Sequence, residues 1–472
     1  MGRAASSTAE AAGPATARPI RRVLVANRGE IAVRVIKACR ALDIETVVVT
    51  STADRAGMPA RLADRAICIG PAAAGQSYLA IPSVLSAALG TGCDAVHPGY
   101  GFLSENPDFA AACVAEGLTF VGPKPEAVAQ AGDKARAREL AERSNIPTLT
   151  GSAILNSADE ALAEAGKLGY PLLVKAAAGG GGRGMSVVEN DAELRKRWPA
   201  AAGEASSAFG DGRLYLERFI RNARHIEVQV LGDKHGNVIH VGERDCTLQR
   251  RHQKVIEESP APNIPEEVRQ DIRRSGVAFA EALELDSAGT VEFIYDADTA
   301  TYAFLEFNAR IQVEHPVSEM VSGIDLVAEQ LRVAAGEPLR HRQEDVTFSG
   351  HAVEVRITTE DPARGFIPHP GTVTEWVPPE GQGIRVDSHC ESGYEVTPYY
   401  DSLLAKIIAY GPDRDTALDR MSDALGRLRV EGLPTTRDFC RAAINHPDFR
   451  AGRVTTSWIA DRGLPEYLEK QQ

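Results

Sequence analysis

The sequence predicts a mixed fold: a parallel-sheet α/β domain, then an antiparallel core with a lid, and finally a C-terminal α+β domain. The stretch "RRVLVANRGEIAVRVIKACRALDIETVVVTS" has the order strand, turn, helix, strand, and its two valine-rich strands look buried in a parallel sheet. Further on, "HIEVQVLGDKHGNVIHVGERDC" alternates apolar and polar residues around a Gly/Asn turn, which is typical of a hairpin. A length of 472 residues exceeds what one core usually organises, so we expect about three domains.

The expected domain boundaries follow changes of pattern along the chain. The first twenty residues are alanine-rich and have no apolar pattern to bury, so we expect a disordered tail over residues 1–20. Gly2 and Ser6 match a myristoylation motif, but a motif this short recurs by chance. The tail has few acidic residues and contains Arg3 and Arg18, so a transit peptide remains an alternative interpretation. We expect the α/β domain over 21–133, the central domain over 134–345 with a glycine-rich lid at about 148–220, and the C-terminal domain over 346–465.

Secondary structure is predicted from periodicity and turn signals. In the first helix, one face carries the apolar residues Ile31, Val35, Ala38, Cys39 and Leu42. Two Pro/Gly-rich stretches, "HPGYGFLSEN" and "VGPKPE", are either simple turns or ligand-binding loops at strand ends. The other predicted elements are helices over 125–145 and 157–168, a hairpin within 214–246, a helix over 264–284, a hairpin over 290–308, a helix near 323–335, short strands after 350 and a terminal helix over 414–430.

Composition narrows the classes of partner. The formal net charge of −13 argues against non-specific binding to nucleic acids or membrane surfaces. No apolar run approaches the roughly 18 residues that a membrane helix needs. The seven cysteines are scattered without a C-x-x-C pair, which is typical of a reducing compartment and gives no sign of a zinc site. We therefore expect a cytoplasmic protein.

The glycines of "YPLLVKAAAGGGGRGMSVVEN" formally fit a dinucleotide fingerprint, but that fingerprint requires a helix after the glycines. The residues that follow, Met185 to Val188, read as a strand, and so do residues 170–175. A dinucleotide site is therefore disfavoured, and a structural hairpin stays possible. A mobile loop whose bare backbone contacts phosphates fits best, with Lys175 and Arg183 supplying positive charge.

The segment "FLEFNARIQVEHP" carries polar residues at every second position, so an extended chain would present them on one face: Glu306, Asn308, Arg310, Gln312 and Glu314. An ordinary amphipathic edge strand would alternate in the same way. A hairpin turning at 297–301, however, would set Glu292 opposite Glu306, and two facing carboxylates repel each other. A divalent cation between them removes that conflict, and Asn308 beside them suits Mg²⁺ or Mn²⁺.

A cationic stretch, "ERDCTLQRRHQKVIEE", is the counterpart of these acids. Such a cluster is often only a solvated face. In an acidic protein with a predicted metal and phosphate site, a pocket for anionic substrates is favoured. A Walker A motif is absent, so the nucleotide is not expected to bind as in P-loop enzymes.

Together these motifs resemble those of biotin carboxylases of the ATP-grasp superfamily, the ATP-dependent part of acetyl-CoA carboxylase and its relatives. The resemblance extends over roughly residues 21–460, in family order, through "VANRGEIAVRVI", "HPGYGFLSEN", "VGPKPE…GDK", "KAAAGGGGRGM", "ERDCTLQRRHQKVIEE", "EFNARIQVEHPVSEM", "GHAVEVRI" and "PYYDSLLAKI". It implies that ATP phosphorylates bicarbonate to carboxyphosphate, which then carboxylates N1′ of biotin.

The resemblance also implies roles for individual residues. ATP would be bound by Lys134, Lys175, Gly179, Gly180, Gly181, Gly182, Gly184, Glu217, Ile220, His225, Gln249 and His252. Two metal ions, Mg²⁺ or Mn²⁺, would be held by Glu292, Glu306 and Asn308. Bicarbonate and biotin would meet Lys254, Arg310, Gln312, Val313, Arg356 and Tyr100. Of these, Lys254, Arg310 and Arg356 would take part in catalysis with Glu314, the general base.

The expected partners follow from the resemblance and from one further observation. Carrier domains attach biotin to a lysine between methionines, and none of the five methionines has a lysine neighbour. We therefore expect a homodimeric subunit that acts on a separate biotin carboxyl carrier protein and works with carboxyltransferase subunits. The final acceptor stays open between acetyl-CoA, the favoured one, propionyl-CoA, pyruvate and another acceptor.

Two rival classes and two departures accompany this interpretation. Another ATP-grasp ligase would not be expected to combine "HPGYGFLSEN" with "RIQVEHP", and a non-catalytic regulator should have lost Glu314, Lys254 or a metal ligand. The lid begins with three alanines where the family often has serine and a fifth glycine, which puts its closing rate in doubt. Arg65 stands where an acid is common, and nothing in the sequence explains it.

Overall fold

The computed structural model describes residues 19–176, 186–209 and 211–470. The predicted tail up to residue 18, the lid glycines (Gly179, Gly180, Gly181, Gly182, Gly184) and Arg183 lie outside the described residues. Ile20 was assigned to the tail but is buried in the core of the first domain. Among the described residues, no helix combines the length and the apolar character needed to cross a membrane.

The N-terminal region is a five-stranded parallel sheet with the order β3-β2-β1-β4-β5, as the sequence predicts. Its elements are β1 (Arg22–Val25), α1 (Gly29–Ala41), β2 (Glu45–Ser51), α2 (Met58–Leu62), β3 (Arg65–Gly70), α3 (Ile81–Gly90), β4 (Ala95–His97), α4 (Pro107–Ala115), β5 (Thr119–Phe120), α5 (Pro125–Gly132) and α6 (Lys134–Arg143). Four of the five predicted apolar residues of α1 are buried, and Leu42 follows the end of the helix. The predicted helical stretch 125–145 is two helices, because the Asp133 side chain accepts hydrogen bonds from the first amides of α6.

The neighbours of β1 lie on opposite sides of it, β2 on one and β4 on the other, which makes the carboxyl ends of β1 and β4 a topological switch point. Asn27 follows β1, and its side-chain amide donates to the carbonyls of Pro98 (2.7 Å) and Tyr100 (2.8 Å) in the loop after β4. The crevice of this sheet is therefore built by the motifs "VANRGE" and "HPGYGF".

The lid region contains a three-stranded antiparallel sheet with the order β7-β6-β8. Its elements are α7 (Ala158–Leu168), β6 (Leu172–Ala176), β7 (Ser186–Val188), α8 (Asp191–Phe209) and β8 (Leu214–Arg218). Leu173 and Val187 are partners in the β6–β7 ladder, so the expectation that the glycines connect two paired strands is confirmed. The helix α8 was not predicted, because alanines make up much of its buried face beside Leu194 and Trp198.

An eight-stranded antiparallel sheet forms the centre of the molecule, with the order β13-β12-β9-β10-β11-β14-β21-β19. The central region supplies β9 (Ala223–Gly232), β10 (Val238–Arg250), β11 (Gln253–Ser259), α9 (Glu266–Ala282), β12 (Ala288–Asp296), β13 (Thr301–Asn308), α10 (His315–Ser322) and α11 (Leu326–Ala334). The aromatic ring of Phe279 in α9 packs on Phe304 and Phe307 of β13. The helix thus covers one face of the sheet.

The C-terminal region extends the same sheet, since β14 pairs with β11. Its elements are β14 (His351–Thr358), β15 (Glu360–Asp361), β16 (Ile367–Pro368), β17 (Gly371–Thr372), β18 (Glu375–Val377), β19 (Ile384–Ser388), β20 (Glu395–Val396), β21 (Leu403–Gly411), α12 (Arg414–Arg427), β22 (Arg429–Glu431), α13 (Arg437–Ile444), α14 (Pro447–Arg450) and α15 (Leu464–Glu469). The predicted helix over 414–430 is α12, but it is not terminal because three short helices follow it. Leu418 and Met421 of α12 pack against Val355 and Ile407 of the sheet.

Candidate active site

A row of charged residues crosses four adjacent strands of the large sheet. Glu306 on β13 faces Glu292 on β12, Glu292 faces Glu227 on β9, and Glu227 faces Arg244 on β10. The predicted register of Glu292 and Glu306 is therefore confirmed. Glu227 and Glu292 are buried, whereas the Glu306 side chain is 38% exposed. Three facing glutamates repel one another, so the row requires cations around it.

Lys254 is the central cation of the site. Its buried ammonium lies 2.5 Å from Glu227, 2.9 Å from Glu292 and 2.6 Å from Glu314. Burial alone would lower the pKa of Lys254, but the three carboxylates outweigh burial and raise that pKa well above its ordinary value. Lys254 is therefore a permanent positive charge that holds three carboxylates in one place.

Glu314 reaches this cluster by a route that the sequence argument did not foresee. Strand β13 ends at Asn308, the chain turns, and Glu314 immediately precedes α10. The expectation of one extended face beyond Asn308 is therefore wrong. The turn, and not alternation along a strand, brings Glu314 to the cluster. Asn308 and Gln312 each donate to one oxygen of Glu292 at 2.9 Å, so these side chains still converge.

The carboxylate of Glu314 is buried and carries a lowered pKa. Burial acts to raise that pKa, but the positive charges of Lys254, Arg356 and Arg244 outweigh burial. One oxygen accepts from Lys254, and the other accepts from Arg356 at 2.9 Å. The structure thus provides an ionised carboxylate, sheltered from solvent and bordered by two cations.

Arg356 and Arg310 complete the cationic part of the site. Arg356 bridges Glu314 and Glu257, whose oxygen lies 2.6 Å away. Arg310 donates to Glu105 at 2.8 Å and to the side-chain oxygen of Asn308 at 2.9 Å. Arg310 therefore connects the first domain to the end of β13.

The predicted metal-binding residues offer a consistent donor set. Glu292 and Glu306 present carboxylates from adjacent strands, with the amide oxygen of Asn308 two residues beyond Glu306. Among the described residues, the ion-pair partner of Glu306 is Lys134 at 3.3 Å, so its partly exposed oxygens are accessible. Hard oxygen donors in this arrangement fit Mg²⁺ or Mn²⁺.

His225 lies beside this donor set, with its Nε2 atom 3.0 Å from Glu292. Burial would lower the pKa of His225, but the charge of Glu292 contributes to raising it to about 9. In this arrangement the imidazole is a cation that offsets the glutamate charge. The structure thus sets His225 next to the row of acids, and the role in ATP binding that the resemblance implied stays a prediction.

The other residues expected to bind ATP fall into separate groups. Lys175 on β6 lies 2.8 Å from Glu217 on β8, within the lid sheet, and Ile220 follows β8. Gln249 faces Lys254 at the end of β10, and His252 is exposed in the turn before β11. In the part of the chain that the structure describes, no hydrogen bond or ion pair joins Lys175 or Glu217 to the Lys254 cluster.

Tyr100 and Val313 each make a hydrogen bond to a buried charged residue. The Tyr100 hydroxyl donates to Glu30, and Val313 accepts a hydrogen bond from Lys406 through its carbonyl at 2.8 Å. A cavity of about 250 Å³ between the first domain and the C-terminal region is lined by Glu30, Tyr100 and residues of the "PYYDSL" motif. Tyr100 therefore lines this cavity while its hydroxyl contacts the buried Glu30.

Several residues of the site were missed by the sequence argument. Glu227 and Arg244 lie in the charged row, and Glu257 holds Arg356. One signal was present, because His225, Glu227 and Gln229 occupy alternate positions of "HIEVQV" and so share a face. The pairing of β11 with β14, which brings Glu257 to Arg356, has no signal in the local sequence.

Comparison with known proteins gives a consistent result over nearly the whole chain. Three family models match: "Biotin carboxylase, N-terminal domain" at residues 19–128, "Carbamoyl-phosphate synthase L chain, ATP binding domain" at 133–342, and "Biotin carboxylase C-terminal domain" at 354–461. The biotin carboxylase of Pseudomonas aeruginosa is 51% identical over 442 residues, which are 93% of this chain and 98% of that protein. The chloroplastic biotin carboxylase of Arabidopsis thaliana is 48% identical over 439 residues, covering 93% of this chain and 82% of that protein.

Solved structures agree with this relationship. The biotin carboxylase of Campylobacter jejuni, crystallised as an ATP complex, superposes with a TM-score of 0.87 and 45% identity, covering 94% of this chain and 99% of that one. The biotin carboxylase domain of 2-oxoglutarate carboxylase from Hydrogenobacter thermophilus, a dimer with MgADP and bicarbonate, gives a TM-score of 0.86 and 46% identity, with coverages of 94% and 97%. The chain belongs to the biotin carboxylase family.

Proposed function

We propose that this member of the biotin carboxylase family carboxylates biotin on a separate carrier protein, using ATP and bicarbonate and passing through carboxyphosphate. The observation that supports this most directly is the buried, ionised carboxylate of Glu314 between Lys254 and Arg356. A base that must deprotonate an anion needs neighbouring cations to attract that anion. The site combines these two features in one cluster.

In the first step, Glu314 takes the proton of bicarbonate. Lys254 and Arg310, with Gln312 and the backbone of Val313, hold the bicarbonate. The deprotonated oxygen attacks the γ-phosphorus of ATP, the new P–O bond forms, and the bond to ADP breaks. The cations keep the pKa of Glu314 low, so the base is in its active form at neutral pH before bicarbonate arrives.

ATP binding is assigned to two groups of residues. Lys134 and Lys175 contact the phosphates beneath the glycine-rich lid, whose glycines lie outside the described residues. Glu217, Ile220, His225, Gln249 and His252 form the adenine and ribose pocket. Relatives crystallised as an ATP complex and with MgADP support this assignment.

The metal ions are assigned to Glu292, Glu306 and Asn308, which would hold two ions of Mg²⁺ or Mn²⁺. When bound, such ions offset negative charge on the transferred phosphoryl group. The residues of the chain contribute by fixing the donors in advance. Glu292 is held by Lys254, Asn308 and Gln312, so little rearrangement is needed on binding.

Biotin binding is assigned to the side chains of Arg356 and Tyr100. In the second step N1′ of biotin bonds to the carbon of carboxyphosphate, the bond from that carbon to the phosphate oxygen breaks, and the released phosphate takes the N1′ proton. The ureido oxygen of biotin gains negative charge as N1′ loses that proton. The guanidinium of Arg356 offers a planar, permanent positive charge to that oxygen. Its two carboxylate partners, Glu257 and Glu314, keep it oriented towards the cluster.

The chain is proposed to act as a homodimeric, cytoplasmic subunit of acetyl-CoA carboxylase, with a biotin carboxyl carrier protein and carboxyltransferase subunits as partners. A dimeric relative supports the oligomeric state, and sedimentation at micromolar concentration tests it. A second candidate is a pyruvate or 2-oxoglutarate carboxylase, because biotin carboxylase parts of both enzymes are 46% identical to this chain. Identifying the biotinylated protein that co-purifies with the chain, and the acceptor it serves, discriminates between these.

The experiment that tests the activity uses the purified full chain with ATP, Mg²⁺, bicarbonate and free biotin. We expect ADP release to depend on bicarbonate and to rise with biotin, with carboxybiotin as product. A parallel reaction with Glu314→Gln should lose most of this turnover. ADP release that responds to neither bicarbonate nor biotin would point to another ATP-grasp ligase and refute the proposal.

A further inference from the structure

Lys406 is a buried lysine outside the charged cluster that contacts three separate parts of the chain. It lies on β21 with its side chain fully buried. Its ammonium donates to the carbonyl of Val313 at 2.8 Å and lies 3.1 Å from Glu30 of α1 and 4.0 Å from Asp387 of β19. Buried lysines are rare unless their charge is paired, so this arrangement calls for an explanation.

The register of the sheet makes the position of Lys406 unusual. Lys406 directly faces Arg356 on β14, and facing cations repel. The two side chains therefore use different carboxylates: Arg356 pairs with Glu257 and Glu314, whereas Lys406 pairs with Glu30. Two adjacent cations in one sheet thus serve different neighbours.

Two of the three contacts of Lys406 support residues assigned to substrates. The carbonyl of Val313 belongs to the same peptide unit as the backbone amide of Glu314, so the hydrogen bond fixes the turn that carries the bicarbonate residues. One carboxylate oxygen of Glu30 accepts a hydrogen bond from the Tyr100 hydroxyl. The other oxygen of Glu30 is buried without a hydrogen-bond partner among the described residues. Lys406 is the cation nearest to that carboxylate among the ion pairs of the described residues.

We infer that Lys406 is a positioning residue for both substrates, fixing the bicarbonate turn through the Val313 carbonyl and the biotin residue Tyr100 through Glu30. This inference rests on the proposed function. Lys406 does not touch a reacting atom. Its ammonium group contacts the first domain, the turn before α10 and a C-terminal strand. One side chain therefore positions residues assigned to both substrates.

Removing the ammonium should disturb both contacts at once. Burial acts to raise the pKa of Glu30, and Lys406 is the first of the groups that oppose it. Without Lys406, Glu30 is expected to take up a proton. Its hydrogen bond with the Tyr100 hydroxyl would then no longer be held in one geometry. The Val313 carbonyl would lose its buried donor at the same time.

The test compares Lys406→Met with Arg414→Met in the full chain. Arg414 is a matched control, since it pairs with Glu258 elsewhere in the same sheet and contacts none of the assigned residues. Lys406→Met should raise the KM for bicarbonate and the KM for biotin about tenfold each, as expected for lost charged hydrogen bonds, with a smaller effect on kcat. Arg414→Met should lower the thermal midpoint but leave both KM values within about twofold of the wild type.

A second variant keeps the inference open to refutation if Lys406→Met does not fold. Glu30→Gln leaves Lys406 in contact with Val313, so it should raise the KM for biotin and leave that for bicarbonate unchanged. The inference is wrong if Glu30→Gln changes both constants or neither. It is equally wrong if a folded Lys406→Met changes only one constant, or neither. A wild-type chain that forms no carboxybiotin would instead overturn the proposed function itself.

Discussion

Replacing Glu314 with glutamine removes the proposed base while preserving the shape of the site. The amide fills the same space, and both neighbouring cations keep other partners. Lys254 still contacts Glu227 at 2.5 Å and Glu292 at 2.9 Å, and Arg356 still contacts Glu257 at 2.6 Å. We therefore expect the Glu314→Gln variant to fold and to bind ATP.

The expected effect on the rate is large because the amide cannot accept the bicarbonate proton. General-base catalysis contributes on the order of 10² to 10⁴ in rate, or about 2.7 to 5.4 kcal/mol of activation free energy. Glutamine keeps one accepting oxygen, so it fails to replace only one of the two charged hydrogen bonds of Glu314, and the loss of stability should be about 1.5 to 3 kcal/mol. Turnover and stability therefore change by amounts that can be separated.

The assay measures bicarbonate-dependent ADP release and carboxybiotin formation at several pH values, beside the thermal midpoint of each protein. In the wild type, Glu314 should remain ionised through the neutral range because its pKa is lowered, and activity that depends on the base should be lost only at acidic pH. Full-rate turnover by the folded glutamine variant would refute the reasoning. Bicarbonate would then be activated elsewhere, and the Lys254 cluster would be structural.

Three further predictions concern two residues of the proposed site and one buried carboxylate elsewhere in the sheet. Glu306→Lys relieves the repulsion with Glu292, so the thermal midpoint should not fall while ATP turnover with Mg²⁺ is abolished; near wild-type turnover would contradict the metal assignment. Arg356→Ala should reduce carboxybiotin formation more than bicarbonate-dependent ATP cleavage, because its proposed role follows phosphorylation, and equal losses in both assays would count against that order. The third prediction concerns Glu258. Burial acts to raise the pKa of Glu258, but a hydrogen bond from His351 and the charge of Arg414 lower that pKa to about 2. The stability that the ionised Glu258 contributes is therefore complete above its ordinary pKa near 4.3 and is lost as the pH falls towards about 2. In a plot of thermal midpoint against pH, Glu258→Gln should therefore reduce the fall at acidic pH. An unchanged fall would contradict this account.

The parts of the fold that the sequence predicted are those fixed by local pattern. The β12–β13 hairpin and the pairing of Glu292 with Glu306 were predicted from a clear turn and a period of two, but nearer the turn Asp296 faces Thr301, and a register shift between Glu292 and Phe293 separates the two parts of the ladder. The first helix and its flanking strands were predicted for the same reason. The remaining site residues were predicted from the family resemblance. No local sequence pattern around Lys134 or Tyr100, for example, could have identified them.

The parts that were missed depend on contacts between distant segments. The pairing of Glu257 with Glu354 across β11 and β14 joins two regions that the sequence divides into separate domains. The end of β13 at Asn308 was also missed, because alternation of polar residues continues past the point where the backbone turns. Lys406 lies in an apolar stretch, "LLAKIIAYG", where a lysine gives no indication of its three partners.

The charged row is better explained by catalysis than by folding. Glu227, Glu292 and Arg244 are buried, and Arg244 needs side-chain acceptors around its whole guanidinium to remain there: Glu227, Gln229, Thr290, Gln312 and Ser318. Buried ion pairs often contribute less to stability than well-packed apolar residues of the same volume, although removing one partner is strongly destabilising. A sheet built only for stability would therefore not require three glutamates side by side. The proposed function, with metal ions and phosphates next to a bicarbonate base, does require closely spaced carboxylates, and Lys254 and Arg244 hold two of them, Glu227 and Glu292, in place.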